Sequence, residues 1–223
     1  MRALHLNHHF NLTPERFARL LYPQTIAFLA SLTAVLILIS VLVRLRATLI
    51  LDLRVTKAFQ VVNTPFWNKA ARWATFIGDG HMVIVVSFVT LVVAYFTGFL
   101  RAGIYEFATL GALPINIALK NVFDRERPGE KEVRILPGPR WGHSYPSGHS
   151  MGSGATYWFL AFLVFLYVQN LPLRLGLFIP LAILPVIVAA SRIYMGAHWF
   201  SDVVAGLAGG LVIVVILASL YVV

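Results

Sequence analysis

The sequence predicts an all-α polytopic membrane protein with six transmembrane helices and a polar site at one membrane face. Three observations predict this fold: 59% of the 223 residues are hydrophobic, only 12% are charged, and the apolar residues fall in long blocks. A soluble domain averages about 45–50% apolar and about 25% charged residues. Each block approaches the length of about 20 apolar residues that crosses the hydrocarbon core of a bilayer.

The predicted spans run from about Gln24 to Val43, Met82 to Leu100, Ala102 to Leu119, Met151 to Val168, Leu175 to Ala190, and Val203 to the C-terminus. The first block is too long for the apolar region of a signal peptide, and no small-residue cleavage site follows it, so we interpret it as a span. Without an internal repeat or a linker, residues 1–223 are expected to form a single domain.

Two shorter segments have the pattern of amphipathic helices. Each begins with a capping threonine followed by proline, at Thr13-Pro14 and at Thr64-Pro65. Aromatic and basic side chains follow, a combination that is satisfied at a membrane interface. We therefore expect residues 1–23 to form an interfacial segment, and a second interfacial helix to begin at Thr64.

The formal net charge is +9, and the chain contains no cysteine. Basic residues lie between the apolar blocks, where anionic lipid headgroups are closer partners than nucleic acid. The absence of cysteine excludes disulfide and thiol chemistry. The expected partners are the bilayer and a lipid phosphate, with neither nucleic acid nor an obligatory protein partner.

Three polar clusters fall on the same side of the predicted membrane. With six spans both termini lie on one face, here called the near face, and the connections after spans one, three and five lie on the opposite, far face. The far-face clusters are Lys120 to Pro128, Tyr145 to His149, and Ser191 to Asp202. Distant parts of the chain thus bring polar residues to one membrane depth, which indicates a site.

The residue types in these clusters predict a phosphate site. Lys120, Arg127 and Arg192 would repel one another around a cavity unless an anion lay between them, and the arginine fork matches phosphate oxygens. Ser147 and Gly148 are placed at a helix start, where free N–H groups favour an anion. The alternative for each cation is a juxtamembrane anchor.

The histidines supply the chemistry of a two-step displacement. His198 and Asp202 are four residues apart, so on a helix they would share a face, and the carboxylate could hold one imidazole nitrogen while the other attacks. His149 provides a second imidazole for acid–base work. Two alternatives remain: His198 and Asp202 could form half of a metal site, and His149 could be structural.

These clusters resemble the signature of the type 2 phosphatidic acid phosphatase family, which shares a superfamily with vanadium haloperoxidases. The signature is a lysine, six residues and Arg-Pro; then Pro-Ser-Gly-His; then Ser-Arg, five residues, histidine, three residues and aspartate. The matching residues are Lys120, Arg127, Pro128, Pro146 to His149, Ser191, Arg192, His198 and Asp202.

The resemblance implies a metal-independent phosphoric ester or diphosphate hydrolase without a cofactor. It implies that His198 is the nucleophile and forms a phosphohistidine, that Asp202 orients it, and that His149 is the acid and base. It implies that the phosphate is bound by Lys120, Arg127, Ser147, Gly148 and Arg192. The loop residues Arg140, Trp141 and His143 are further candidates for headgroup contacts.

The sequence leaves the substrate and the membrane orientation open. Candidate substrates are phosphatidylglycerol phosphate, phosphatidic acid, undecaprenyl diphosphate and lipid A phosphates. The far face holds 13 of the 18 lysines and arginines, which the positive-inside rule would place in the cytoplasm. The resemblance implies a site facing the periplasm or exterior of the cytoplasmic (inner) membrane, and we adopt that orientation. The alternative functions are a lipid phosphotransferase and a transporter.

Overall fold

The computed structural model describes residues 22–221, and all regular structure in that range is helical. The α-helices there are α1 (Pro23–Arg44), α2 (Leu49–Phe59), α3 (Pro65–Ile77), α4 (Gly80–Thr97), α5 (Leu100–Ala108), α6 (Ala112–Phe123), α7 (Gly148–Tyr167), α8 (Leu171–Tyr194) and α9 (Phe200–Tyr221). Six segments are long and apolar enough to cross a membrane: α1, α4, α5 with α6, α7, α8 and α9. The predicted all-α, six-span fold is confirmed.

Helix starts follow the capping signals in the sequence. Thr64, Asp79, Ser147 and Asn170 precede α3, α4, α7 and α8, and each side chain accepts a hydrogen bond from a backbone N–H of the first turn. Such caps satisfy donors that a helix leaves free at its N-terminus. The helix predicted after Thr64 is therefore present as α3. The interfacial segment predicted over residues 1–23 lies almost entirely outside the described residues.

Two features differ from the sequence prediction. The third span is not one regular helix, because a 3₁₀ turn at Thr109–Gly111 separates α5 from α6. Helix α2 was not predicted, since the charged residues Asp52, Arg54 and Lys57 interrupt its apolar pattern. This short helix matters because its Asp52 reaches the polar site.

Helix α7 lies at the centre of the bundle and packs mainly against α8 and α9. In its most apolar stretch 61% of the residues are buried, against 6% in α1, so α7 is an inner helix and α1 presents its sides to lipid. Small residues permit the close crossing of α7 and α9. A Cβ added at Gly210 would lie 2.8 Å from the carbonyl oxygen of Met151 and 2.9 Å from the nitrogen of Ala155.

The amphipathic far-face helix α3 packs against the end of α8 that carries Arg192. Helix α3 buries Ala71, Ala74 and Thr75 and packs against α8. It exposes Phe66 and Trp67, among other aromatic side chains. The fold therefore brings together, at the far face, the C-terminal ends of α6 and α8 and the N-terminal ends of α4, α7 and α9.

Candidate active site

The three predicted clusters converge in the structure. Lys120 lies in the last turn of α6 and Arg192 in the last turn of α8, while His149 lies at the start of α7 and Asp202 in the first turn of α9. The backbone N–H of Ser147 donates to the backbone oxygen of Asp202 at 3.0 Å, which joins the second cluster directly to the third.

His198 does not lie on a helix, so the shared helix face that its four-residue spacing from Asp202 would allow does not form. It belongs to the link between α8 and α9, two residues before α9 begins. The link turns at Gly196, whose φ of +66° favours glycine. The pairing with Asp202 nevertheless forms, because the turn places Nδ1 of His198 3.4 Å from Oδ2 of Asp202.

The partners of His198 indicate which of its nitrogens is free to react. Nδ1 faces the oxygen of Asp202 and, at 3.5 Å, the hydroxyl of Ser144. Nε2 lies 3.1 Å from Nη1 of Arg127, which can only donate. This pattern assigns the proton to Nδ1 and a lone pair to Nε2.

Asp202 is fully buried, and it accepts hydrogen bonds through both oxygens. Oδ2 accepts from the backbone N–H of Trp199 at 2.9 Å and from the hydroxyl of Ser144. Oδ1 accepts from Arg125 at 2.6 Å. Ser144 and Arg125 were both missed by the sequence reasoning. Their only signal was their position inside, or next to, the first two clusters.

Each of the three predicted phosphate-binding cations donates to backbone carbonyls. Lys120 donates to the carbonyl of His143. Arg192 donates to the carbonyl of Pro139 at 2.5 Å. Arg127 donates to the carbonyls of Trp141, Gly142 and Ala197 at 2.6, 2.9 and 2.6 Å. The loop over residues 139–143 thus surrounds the cations with oxygen atoms, and it does so through its backbone.

The loop side chains predicted to touch a headgroup have different surroundings. The Trp141 side chain is 85% exposed, and Trp141 lies at the mouth of the site. Nδ1 of His143 lies 2.7 Å from Oδ1 of Asp124. Arg140 donates to the carbonyl of Pro128 at 2.6 Å, within the segment that joins α6 to α7.

His149 faces a carboxylate that the sequence reasoning did not include. Its Nε2 lies 3.5 Å from Oδ2 of Asp79, the residue that caps α4. The His149 imidazole and two hydrogen bonds from His81 hold the pKa of the Asp79 carboxyl below its ordinary range, although burial opposes this shift. Both imidazoles of the site therefore lie beside an aspartate.

A buried amide supports the turn that carries Ser147 and Gly148. Asn116 on α6 donates through Nδ2 to the carbonyl of Pro146 at 3.1 Å. A Cβ added at Gly148 would lie 2.9 Å from Oδ1 of this asparagine, so a larger residue there would displace the amide that supports the turn. The Ser147 side chain is fully buried and accepts hydrogen bonds from Ser150. Its hydroxyl serves as the cap of α7.

A cavity of about 330 Å³ lies between these groups. Its walls include Lys120, Arg127, Gly148, His149, Arg192 and His198. Ile84 and Leu113 supply an apolar wall on the side of α4 and α6. Ser147 and Asp202 lie behind the wall instead of lining it. The cavity thus combines three cations, two imidazoles and a helix N-terminus, which can bind an anion and transfer a group to nitrogen.

Burial and positive charge both lower the pKa of His198. His198 is 2% exposed. Burial lowers its pKa well below 6.5, and the charges of Arg127, Arg192 and Lys120 lower it further. Burial also lowers the pKa of Arg127, to about 10, which leaves this guanidinium charged at neutral pH. His198 is therefore neutral at pH 7 in the unliganded site, with a lone pair at Nε2.

The low pKa of His198 predicts where activity falls as the pH is lowered. An imidazole attacks only when neutral, so the acidic limb of kcat/KM should lie below pH 6.5. Titration of the substrate phosphate by ³¹P NMR separates its own ionisation from that of the enzyme. In Arg127→Met one neighbouring positive charge is lost, and the limb should move to higher pH. A wild-type limb at or above pH 6.5 would contradict this account of the site.

Comparisons with known proteins agree with the fold. The family model of the PAP2 superfamily matches residues 101–222. A curated relative is phosphatidylglycerophosphatase B of Bacillus subtilis (strain 168), 25% identical over 167 residues that cover 73% of this chain and 79% of the relative.

Two solved structures share the fold. The transmembrane PAP2 type phosphatidylglycerolphosphate phosphatase from Bacillus subtilis superposes with a TM-score of 0.74 at 22% identity, over 85% of this chain and 94% of that one. Aquifex aeolicus LpxE superposes with a TM-score of 0.60 at 20% identity, over 75% of this chain and 94% of the other.

Proposed function

Because the chain belongs to the PAP2 superfamily, we propose that it is a membrane lipid phosphatase that works through a phosphohistidine on His198. The observation that carries the proposal is the cavity in which Nε2 of His198 lies among Lys120, Arg127 and Arg192. A nucleophile surrounded by fixed positive charge suits a phosphoryl group, whose negative charge must be balanced as it is transferred.

The first proposed step forms a bond between Nε2 of His198 and phosphorus and breaks the bond from phosphorus to the lipid oxygen. His149 gives a proton to that leaving oxygen. The side chains of Lys120, Arg127 and Arg192 and the N–H of Gly148 hold the non-bridging oxygens, taking the place of the loop carbonyls that now accept from the cations. The imidazole ring of His198 becomes positively charged in this step, and the negative charge of Asp202 stabilises it.

In the second step water replaces His198 on phosphorus. His149, now neutral, takes a proton from the water molecule as it attacks, and inorganic phosphate leaves. The cations supply the electrostatic stabilisation that a metal ion gives in other phosphatases, so the reaction requires no metal. Among residues 22–221, no three histidine or carboxylate side chains are grouped as a metal site would need.

The substrate is proposed to be a lipid phosphate or diphosphate whose chain stays in the bilayer. The site lies at the ends of membrane-spanning helices, and its apolar wall of Ile84 and Leu113 belongs to two of them. Phosphatidylglycerol phosphate is the first substrate to test, since relatives with this specificity match the chain in sequence and in fold. Phosphatidic acid, undecaprenyl diphosphate and lipid A phosphates complete the panel.

The proposal predicts that the purified protein in detergent releases phosphate from at least one of these lipids in the presence of EDTA. His198→Ala should abolish release, because the nucleophile is lost. Asn63→Ala, which changes an exposed loop residue between α2 and α3, should keep wild-type activity.

Three outcomes would contradict parts of this proposal. Activity that survives in His198→Ala would exclude this nucleophile, and activity that EDTA removes would exclude the metal-free mechanism. Transfer of label to a second lipid, instead of to water, would identify a phosphotransferase.

We further propose that the site faces the periplasm or exterior of the cytoplasmic membrane. Of the 13 far-face cations, Lys120, Arg127 and Arg192 line the cavity and Arg125 is paired with two buried carboxylates. Because those four are explained by their contacts at the site, we leave them out of the positive-inside count. The nine others still outnumber the five on the near face, so the positive-inside count opposes the orientation that the family resemblance favours.

Single-cysteine labelling tests this orientation cleanly, because the chain has no cysteine of its own. A membrane-impermeant maleimide should label Asn63→Cys on intact cells and Gln169→Cys only after lysis. Both positions are exposed, at the far and near faces respectively. Gln169 is preferred to Asn170 because the Asn170 side chain caps α8. The reverse labelling pattern would place the site in the cytoplasm.

A further inference from the structure

A series of buried ion pairs runs from α2 to Asp202, the aspartate beside His198. Nη1 of Arg125 donates to Oδ1 of Asp202 at 2.6 Å, and Nη2 donates to Oδ2 of Asp52 at 2.6 Å. Both carboxylates are fully buried, and the arginine side chain is 9% exposed. We infer that Asp52 and Arg125 are positioning residues of the proposed phosphatase, which hold Asp202, and through it His198, in the geometry for attack. This inference rests on the proposed function.

The two oxygens of Asp202 have different partners, one binding Arg125 and the other facing His198. Oδ1 is bound to Arg125, while Oδ2 faces Nδ1 of His198 and accepts from Ser144 and from the backbone of Trp199. A carboxylate held at one oxygen cannot rotate freely about its χ2 angle. Arg125 therefore fixes the direction in which Oδ2 meets the nucleophile.

Asp52 fixes Arg125 in turn, and it also fixes the start of α9. Oδ1 of Asp52 accepts from the backbone N–H of Ser201 at 2.8 Å, and Oδ2 accepts from the Ser201 hydroxyl at 2.9 Å. Ser201 precedes Asp202 in the first turn of α9. The carboxylate of Asp52 therefore contacts both the guanidinium that holds Asp202 and the helix turn that carries it.

The charges of the Asp52–Arg125–Asp202 ion pairs, and not only their geometry, suit the phosphohistidine intermediate. Arg125 lies between two carboxylates, so the three groups together carry one negative charge. Were Asp52 absent, Arg125 would neutralise Asp202 alone, and less negative charge would remain beside His198. In the phosphohistidine the imidazole ring is positively charged, and it lies in a buried site where that charge is poorly screened. Asp52 thus shares the positive charge of Arg125, so that Asp202 keeps more negative charge beside the imidazole ring of His198.

The competing explanation is purely structural, namely that the ion pairs only attach α2 to the bundle. The two explanations differ in one measurable respect. A structural role makes the loss caused by Asp52→Asn independent of Asp202. If Asp52 acts by positioning Asp202, the loss of kcat caused by Asp52→Asn should disappear in the Asp202→Asn background, where the aspartate charge is absent.

The test is a double-mutant cycle on phosphate release from the preferred lipid, with kcat and KM measured for wild type, Asp52→Asn, Asp202→Asn and the double variant. Asp52→Asn should lower kcat by about 10–100-fold, the scale expected from a small misplacement of reacting groups, with KM changed by less than about two-fold because the cavity cations are untouched. In the Asp202→Asn background the same change should cost less than about two-fold.

A matched control is available on the same helix. Thr56 lies one turn after Asp52 and is fully buried, and its hydroxyl has no hydrogen-bond partner among residues 22–221. Thr56→Val should therefore leave kcat unchanged. Arg125→Lys gives a second test should Asp52→Asn fail to fold, since lysine keeps the charge but lacks the planar fork whose two nitrogens donate to Asp202 and Asp52. It should lower kcat at unchanged KM, again only when Asp202 is present.

Each result has a defined meaning. A wild-type protein that releases no phosphate from any lipid would overturn the proposed function and the inference with it. With an active wild type, full kcat in folded Asp52→Asn or Arg125→Lys would overturn the inference alone. Equal losses in the two Asp202 backgrounds would also overturn it, in favour of the structural role.

Discussion

Positive charge must be concentrated around one cavity without driving the helices apart, and the far-face architecture follows from this constraint. Lys120 and Arg192 lie in the last turns of α6 and α8, where the helix dipole favours cations. Gly148 opens α7, where the dipole and free N–H groups favour an anion. Carbonyls of the loop over residues 139–143 accept from all three cavity cations. The cavity is thus electrostatically prepared for phosphate before a ligand arrives.

The proposed nucleophile, His198, is held by a second, buried group of charged residues behind the cavity. His198 contacts Asp202, Asp202 contacts Arg125, and Arg125 contacts Asp52, so four groups from three separate chain segments are connected. The close crossing of α7 and α9 at Gly206 and Gly210 holds the second and third clusters together. The close packing of α7 against α9 and the ion pairs at the far-face end of the bundle therefore position the same few side chains. Together they hold His149 on α7 and His198 beside α9 at fixed positions around the cavity.

The sequence predicted the spans and the cavity residues better than the groups that hold them. Apolar block length determines a span, and the three clusters lie where spans end, so both could be read locally. Asp52, which contacts Ser201 across 149 positions of the chain, has no local pattern. Asp79 and Asn116 lie outside the three clusters, and their contacts with His149 and Pro146 depend on how the helices pack. The four-residue spacing of His198 and Asp202 would pair them on a helix face, whereas in the structure the turn at Gly196 brings His198, outside the helix, to Asp202 in the first turn of α9.

Trapping the covalent intermediate tests the central claim most directly. An aryl phosphate with a good leaving group needs little help from an acid, so His149→Ala should still form the phosphohistidine but hydrolyse it slowly. Stopped-flow measurement should then show a burst of about one phenolate per protein, and alkaline peptide mapping should place the phosphate on His198. A burst that persists in the His149→Ala/His198→Ala double variant, or phosphate on another residue, would contradict the mechanism.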